Sequence, residues 1–302
     1  MFGSQLHNQN TSWEDIKATL ATMERGRWHS AWFYDHFLPP ASRTDEVLPH
    51  DSFPTFEGWS LLTGAAAVTE RLRLGVLVTG NTYRNPALLA KMAATVDHIS
   101  NGRLEIGIGA GWNIREHQAF SWEFPSMRER QDRLEEACEV IKLLFTSEEL
   151  FDYEGTYYRL KQAPFWPKGI QQPHPPIMVG GKGRTRTLKT LAKYGDIMNV
   201  IAGPEELREL IGVLEGHCEV LGRDPSEIRK SVHVPMRIER DEDEARKLRQ
   251  GMDWQMIGPP AYVIDRARDF IEAGTQEFML QRIPNKPEVY EELDAEVLRA
   301  FD

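Results

Sequence analysis

The chain has 302 residues, is 41% hydrophobic and 27% charged, and carries a formal charge of −10. No apolar run approaches the ~20 residues of a membrane-spanning helix. The opening Met-Phe-Gly-Ser-Gln-Leu lacks the basic-then-apolar pattern of a signal peptide, and the acidic balance argues against nucleic acid as a partner. A soluble cytoplasmic protein is the expectation.

Phe2 to Leu6 reads as a short strand, and Trp13 to Glu24 as a helix capped by Thr11 or Ser12. His29 to Tyr34 is a second strand, followed at once by Asp35-His36 and a polar loop from Phe37 to Phe56. Glu57 to Glu70 is helical. Leu74 to Val78 is nearly all apolar, as suits a parallel strand buried on both faces. After Thr79 to Pro86, with Asn85 as a candidate N-cap, Leu88, Met92, Val96 and Ile99 recur at helical spacing until Asn101-Gly102 stops the helix. Leu104 to Ile108 is a fourth strand that ends in Gly109-Ala-Gly111.

A loop from Trp112 to Met127 leads into a helix from Arg128 to Phe145, with Leu134, Ala137, Ile141 and Leu144 on one face. Phe151 to Pro176, rich in aromatics and prolines, breaks the rhythm as an excursion with hairpin character; it either covers the site as a lid or packs against the body. Pro176 to Gly180, Asp196 to Ile201, Ser231 to Ile238 and Glu277 to Gln281 complete the strands. Helices are expected over Arg184 to Tyr194, Pro204 to Leu221, from Asp241 onward, over Pro259 to Ala273 and over Pro287 to Ala300. Strands alternating with helices predict an α/β fold. The count of eight strands favours a (βα)8 TIM barrel, with the excursion after its fourth βα unit, formed by residues 1–302 as one domain. A doubly wound sheet is the alternative, since periodicity does not show closure.

Chemistry-bearing residues gather where strands end. Gly107-Ile-Gly109-Ala-Gly111 lacks the third glycine of a dinucleotide fingerprint; its glycines serve either a tight turn or close approach of a flat ring. Gly180-Gly-Lys-Gly183 opens a helix, and backbone N–H groups there, with Lys182 and Arg184, suit a phosphate better than an ordinary turn requires. His36 after a strand is placed for proton chemistry, though a lone histidine also serves structure alone. The nine histidines show no metal-binding spacing, and no Gly-x-Ser-x-Gly elbow appears, so neither a metal nor a simple hydrolase is expected. Cys138 and Cys218, both in helical patterns, read as buried free thiols. Asp241 to Glu244 is the acidic first turn of a helix.

Tyr34-Asp-His-Phe37, the run Val78 to Asp97, Gly102 to Trp112, Pro175 to Gly181 and Gly258 to Ile264 together resemble the bacterial luciferase-like oxidoreductases, nearest the coenzyme F420-dependent branch. The resemblance implies a barrel that binds a deazaflavin, or alternatively FMN, across the carboxyl ends of its strands, commonly as a homodimer. It implies Asp35 and His36 beside the reactive ring, with His36 moving a proton and Asp35 orienting it. Val76-Leu77 is the implied place of a non-prolyl cis peptide that backs the ring. Thr79 and Gly80 would line the ring edge, Gly109, Gly111 and Trp112 its border, and Gly180, Gly181, Gly183 and Arg184 the phosphate. The sugar-phosphate dehydrogenases of the family carry a glutamate where this chain has Trp112; Glu116 and His117, one turn on, are candidates for polar contacts there. The implied activity is hydride transfer between F420 and an organic substrate, with reduced FMN plus dioxygen as the monooxygenase alternative and a non-catalytic partner subunit as a third.

Overall fold

The computed structural model describes residues 1–40 and 46–302, so part of the expected Phe37 to Phe56 loop lies outside the described residues. β1 (Phe2–Gln5) leads to α1 (Trp13–Arg25), where Ser12 and Asp15 cap each other's backbone reciprocally, an arrangement that stabilises a helix start by ~1 kcal/mol. β2 (Ser30–Phe33) and α2 (Gly58–Val68) form the second unit, and β3 (Arg73–Val76), the two-residue β4 (Thr79–Gly80) and α3 (Pro86–Ile99) the third. Asn85 caps α3 as expected, but the buried face of α3 is Leu89, Ala90, Ala93, Ala94 and Val96. Leu88 and Ile99 are exposed: the small alanine face lets the helix approach the sheet closely, and it turns those larger residues outward.

β5 (Leu104–Gly109) is followed by a short helix, α4 (Ile114–Ala119), which the loop reading missed, and by α5 (Met127–Thr146), which buries Leu134, Ala137, Ile141 and Leu144. The excursion carries an antiparallel hairpin of β6 (Phe151–Glu154) and β7 (Arg159–Ala163). β8 (Ile177–Gly180), α6 (Thr187–Tyr194), β9 (Ile197–Val200), α7 (Pro204–Leu221) and β10 (Arg229–Ile238) restore the alternation. After α8 (Glu242–Arg249), a three-residue strand, β11 (Met256–Gly258), pairs with the tip of β10. It is too short to show alternation, so the sequence reading passed over it. α9 (Pro260–Glu272), β12 (Glu277–Gln281) and α10 (Pro287–Glu296) close the chain. Both cysteines are buried and free.

The eight strands β1, β2, β3, β5, β8, β9, β10 and β12 pair in that order, all parallel, and β12 returns to β1. The sheet is therefore closed, which removes the doubly wound alternative. From His233 the register runs through Met279, Gly3, Ser30 and Arg73, and continued through β5, β8 and β9 it re-enters the β10 segment eight residues earlier, level with Pro225. That offset is the shear of a (βα)8 barrel, in which luminal side chains stack in layers of four from alternate strands.

The stagger orders the lumen. Its amino-terminal end holds Ser30, Glu105 and Glu277 with Arg73 and Arg229: Arg73 Nε lies 2.5 Å and Arg229 Nη2 2.6 Å from Glu105 Oε1, and Ser30 Oγ donates to Glu277 at 2.8 Å. Above these, Met178, Ile197, Trp32 and Met279 pack together as a luminal core that also reaches Leu77 and Val78. The layer of Gln5, Leu77, Gly180 and His233 follows, and Tyr34, Gly109, Ile201 and Gln281 form the mouth.

Candidate active site

The wall at β3 carries the most unusual backbone of the mouth. The non-prolyl cis peptide joins Leu77 to Val78, one residue beyond the Val76-Leu77 position implied by the resemblance. The reason lies in the ladder: Leu77 N donates to Phe33 O at 2.7 Å, so the pairing with β2 runs through Leu77 before the chain departs. Between Leu74↔Leu104 and Thr79↔Ile108 the register against β5 slips by one residue, which makes this segment a bulge. The Val78 side chain rests against Gly109 and Gly180, where an added Cβ would lie 2.9 Å from it in each case.

Asp35 and His36 leave β2 side by side but belong to different networks. Asp35 is buried and accepts from Arg84 Nη1 at 2.5 Å and Nη2 at 3.1 Å; Arg84 also donates to Glu57 at 2.6 Å. Burial pushes the Asp35 carboxyl above its ordinary value, against the pull of Arg84. Asp35 therefore does not orient His36. The carboxylate that does so is Glu116 of α4, whose Oε2 lies 2.9 Å from His36 Nδ1.

Glu116 is fully buried and also accepts from Phe37 N at 2.7 Å, Leu38 N at 2.9 Å and the Tyr83 hydroxyl. Burial opposes its charge, but hydrogen bonds from His36, Tyr83 and Leu38 N outweigh it and hold the carboxyl below the usual range. Burial and the Glu116 charge in turn push the Tyr83 phenol up. Asn113 positions the acid by capping α4, its Oδ1 accepting from Glu116 N at 3.3 Å. That Asn-x-x-Glu capping pattern was the available sequence signal, hidden inside a stretch read as loop. Trp112 packs edge-on against His36 with centroids 5.1 Å apart.

His117 is drawn inward. Its Nδ1 meets Asn113 O at 2.6 Å and its Nε2 meets Thr82 Oγ1 at 2.8 Å, while the ring stacks on Tyr83. Burial lowers its pKa, and through the Tyr83 ring it adjoins the Glu116 network. Thr79 is also buried, its hydroxyl accepting from Trp59 Nε1 at 2.8 Å, and Gly80 gives room to the Tyr83 ring. Gly111 adopts φ +78°, where an L side chain is strained, and its carbonyl accepts from Arg130 at 2.5 Å.

Gly180 to Arg184 form the turn after β8. Gly181 has φ +125° and its N–H donates to Asn199 O at 3.0 Å. α6 begins at Thr187, later than Arg184, and its N-cap, Arg186, supplies no side-chain cap, so first-turn N–H groups are left without one. Lys182 pairs with Glu206 at 2.8 Å and Arg184 with Glu209 at 2.6 Å, both on the exposed rim at the start of α7. Exposed pairs of this kind contribute only ~0–1 kcal/mol, so both cations can exchange partners cheaply. Among the described residues no cluster of metal-ligating side chains occurs.

The fold is a closed parallel α/β-barrel that gathers its glycine turns, bulge and carboxylate-held histidine at one end, the end where barrels of this class carry their sites. The luciferase-like monooxygenase model matches residues 1–297, and the chain belongs to that family. It is 34% identical over 247 residues to an F420-dependent glucose-6-phosphate dehydrogenase of Kineococcus radiotolerans, spanning 80% of this chain and 69% of that one. Its fold matches that of an F420-dependent secondary alcohol dehydrogenase in complex with an F420-acetone adduct, with TM-score 0.86 and 21% identity over 100% of this chain and 99% of the other. It also matches the monooxygenase RslO1 from Streptomyces bottropensis, with TM-score 0.81 and 20% identity over the full length of both.

Proposed function

We propose that this chain is an oxidoreductase that transfers a hydride between coenzyme F420 and a small organic substrate. The observation that carries the reading is His36 held by buried Glu116 at the barrel mouth, beside the Leu77–Val78 bulge. The 34% identity to an F420-dependent dehydrogenase over 80% of the chain supports the cofactor.

The residues present fit a flat ring with a phosphate-bearing tail. Leu77 and Val78 would back the ring, the missing side chains of Gly109 and Gly180 make room for the Val78 side chain, and the turn from Gly181 to Gly183 with the start of α6, which has no side-chain cap, would hold the phosphate. A deazaflavin held there would supply hydride transfer, carbon having replaced the central-ring nitrogen of a flavin. Glu116 fixes the His36 ring through Nδ1 and leaves Nε2 to exchange a proton with the substrate. Tyr83 and the backbone N–H groups of Phe37 and Leu38 keep the Glu116 charge in place without water. Trp112 limits the space beside His36.

The likeness to the monooxygenase RslO1 favours a second reading, in which reduced FMN and dioxygen are used. Fluorescence titration of the purified protein with F420 and with FMN separates the two. F420 binding is expected; FMN binding alone, with oxygen uptake when a flavin reductase is added, would replace the first reading by the second.

A further inference from the structure

One luminal side chain, that of His233, stands apart from the His36 network. His233 lies on β10 two residues beyond Ser231 and four beyond Arg229, both of which face the lumen: Ser231 bonds Asn199 at 2.9 Å and Arg229 meets Glu105 at 2.6 Å. Alternation along the strand puts His233 on the same face. Its register partner on β12 is Met279, a member of the luminal core, which agrees. The barrel stagger then sets His233 in one layer with Gln5, Leu77 and Gly180.

In an eight-stranded barrel of this order, β10 stands directly across from β3. His233 thus faces the Leu77–Val78 bulge over a layer in which Gly180 contributes no side chain and Gln5 is tied to Leu77 O at 3.1 Å. The residue is only half-buried, yet its Nε2 is sealed and has no hydrogen-bond partner among the described residues. Native interiors rarely leave such an atom unsatisfied. A half-turn about χ2 exchanges Nε2 with Cε1, so the ring can present either edge to a ligand entering the lumen. Burial depresses the imidazole pKa to about 4, which keeps the ring neutral near pH 7, able to donate from one nitrogen and accept at the other.

We propose that His233 is a cofactor-binding residue, hydrogen-bonding the polar pyrimidinedione end of the deazaflavin ring deep in the lumen across from the bulge. The inference rests on the F420 reading. A neutral imidazole, donor at one nitrogen and acceptor at the other, matches that end of the ring, which presents carbonyl oxygens and an N–H.

The test is F420 binding to wild type, His233→Ala and His233→Gln, followed by deazaflavin fluorescence, with thermal unfolding as the check on folding. The expected result is about tenfold weaker binding by the alanine variant, the loss of one net hydrogen bond, with glutamine within about threefold of wild type. Nitrogen-15 histidine spectra of wild type should show one neutral imidazole shifting on F420 addition, a signal absent from His233→Gln. If wild type binds F420 and His233→Ala binds it equally well, with the His233 imidazole signal unmoved, His233 has no such role. If wild type binds FMN and not F420, the parent reading falls, and this inference with it.

Discussion

Glu116 reaches back from α4 to hold His36, with 2.9 Å between Oε2 and Nδ1, and the same carboxylate gathers the backbone of Phe37 and Leu38. One side chain therefore fixes both the imidazole and the loop that leaves β2. Glu116→Ala would strand two backbone donors and the Tyr83 hydroxyl, a loss of about 1–3 kcal/mol. Because the folded Glu116 pKa is depressed, its contribution is present above the unfolded value and fades as pH falls through the folded one. Thermal unfolding is expected to show a lower Tm for the alanine variant near pH 7 and a gap that closes in acid. A gap unchanged with pH would remove the charged role given to Glu116.

Arg84 carries the neighbouring network. It is the bidentate partner of buried Asp35 and also pairs with Glu57. Arg84→Met would leave Asp35 buried and uncompensated, which typically costs about 3–5 kcal/mol. Urea unfolding is the measurement. Adding Asp35→Asn to Arg84→Met should restore part of the loss, since the stranded charge is then gone; a double variant no better than the single would contradict the pairing.

The barrel itself was legible in the sequence because each long element satisfied its own local rule. Pro204 to Leu221 begins with proline and ends before Gly222 in αL, and Glu277 to Gln281 is a buried run of strand length. The shorter pieces, α4 and β11, were not, since six and three residues give no periodicity to read. At the site, His36 stood out as chemistry at a strand end, but its partner did not. Adjacency favoured Asp35, whereas consecutive residues leaving a strand point apart, and the acid that meets His36 comes from 80 positions away. His233 was invisible for a related reason: its meaning depends on barrel stagger, a property of closure.

The cradle around Val78 makes a narrower prediction. An added Cβ at Gly180 would lie 2.9 Å from Val78 Cγ2 and 3.0 Å from Cγ1, closer than carbon atoms pack, so the bulge must shift. Gly180→Ala should destabilise the fold by about 1–3 kcal/mol and weaken F420 binding more than tenfold, read by fluorescence titration. Gly212→Ala on α7, where an added Cβ meets nothing within 4 Å, is the control and should leave binding unchanged.

The amino-terminal end of the lumen predicts an opposite pH signature. Burial first, and then the Glu105 charge, push the Glu277 carboxyl up to about 7, while Arg229 pulls it down and Ser30 donates to it. Arg73 and the Met1 amino group add positive charge nearby, and burial pushes the neighbouring His29 imidazole down to about 4, so it stays neutral near pH 7. A carboxyl that holds its proton more tightly when folded takes one up on folding between its unfolded value near 4.5 and about 7. Its contribution is most favourable below that window and is lost as pH rises through it. Glu277→Gln keeps a hydrogen-bonding group beside Ser30 and removes the titration, and Arg229 retains Glu105. Calorimetry from about pH 5 to pH 8 should therefore show the variant losing less stability than wild type. Its Tm at the upper end should be higher by ~2–4 °C for each kcal/mol recovered. Parallel Tm profiles for the two proteins would show that Glu277 titrates no differently in the folded chain than in the unfolded one.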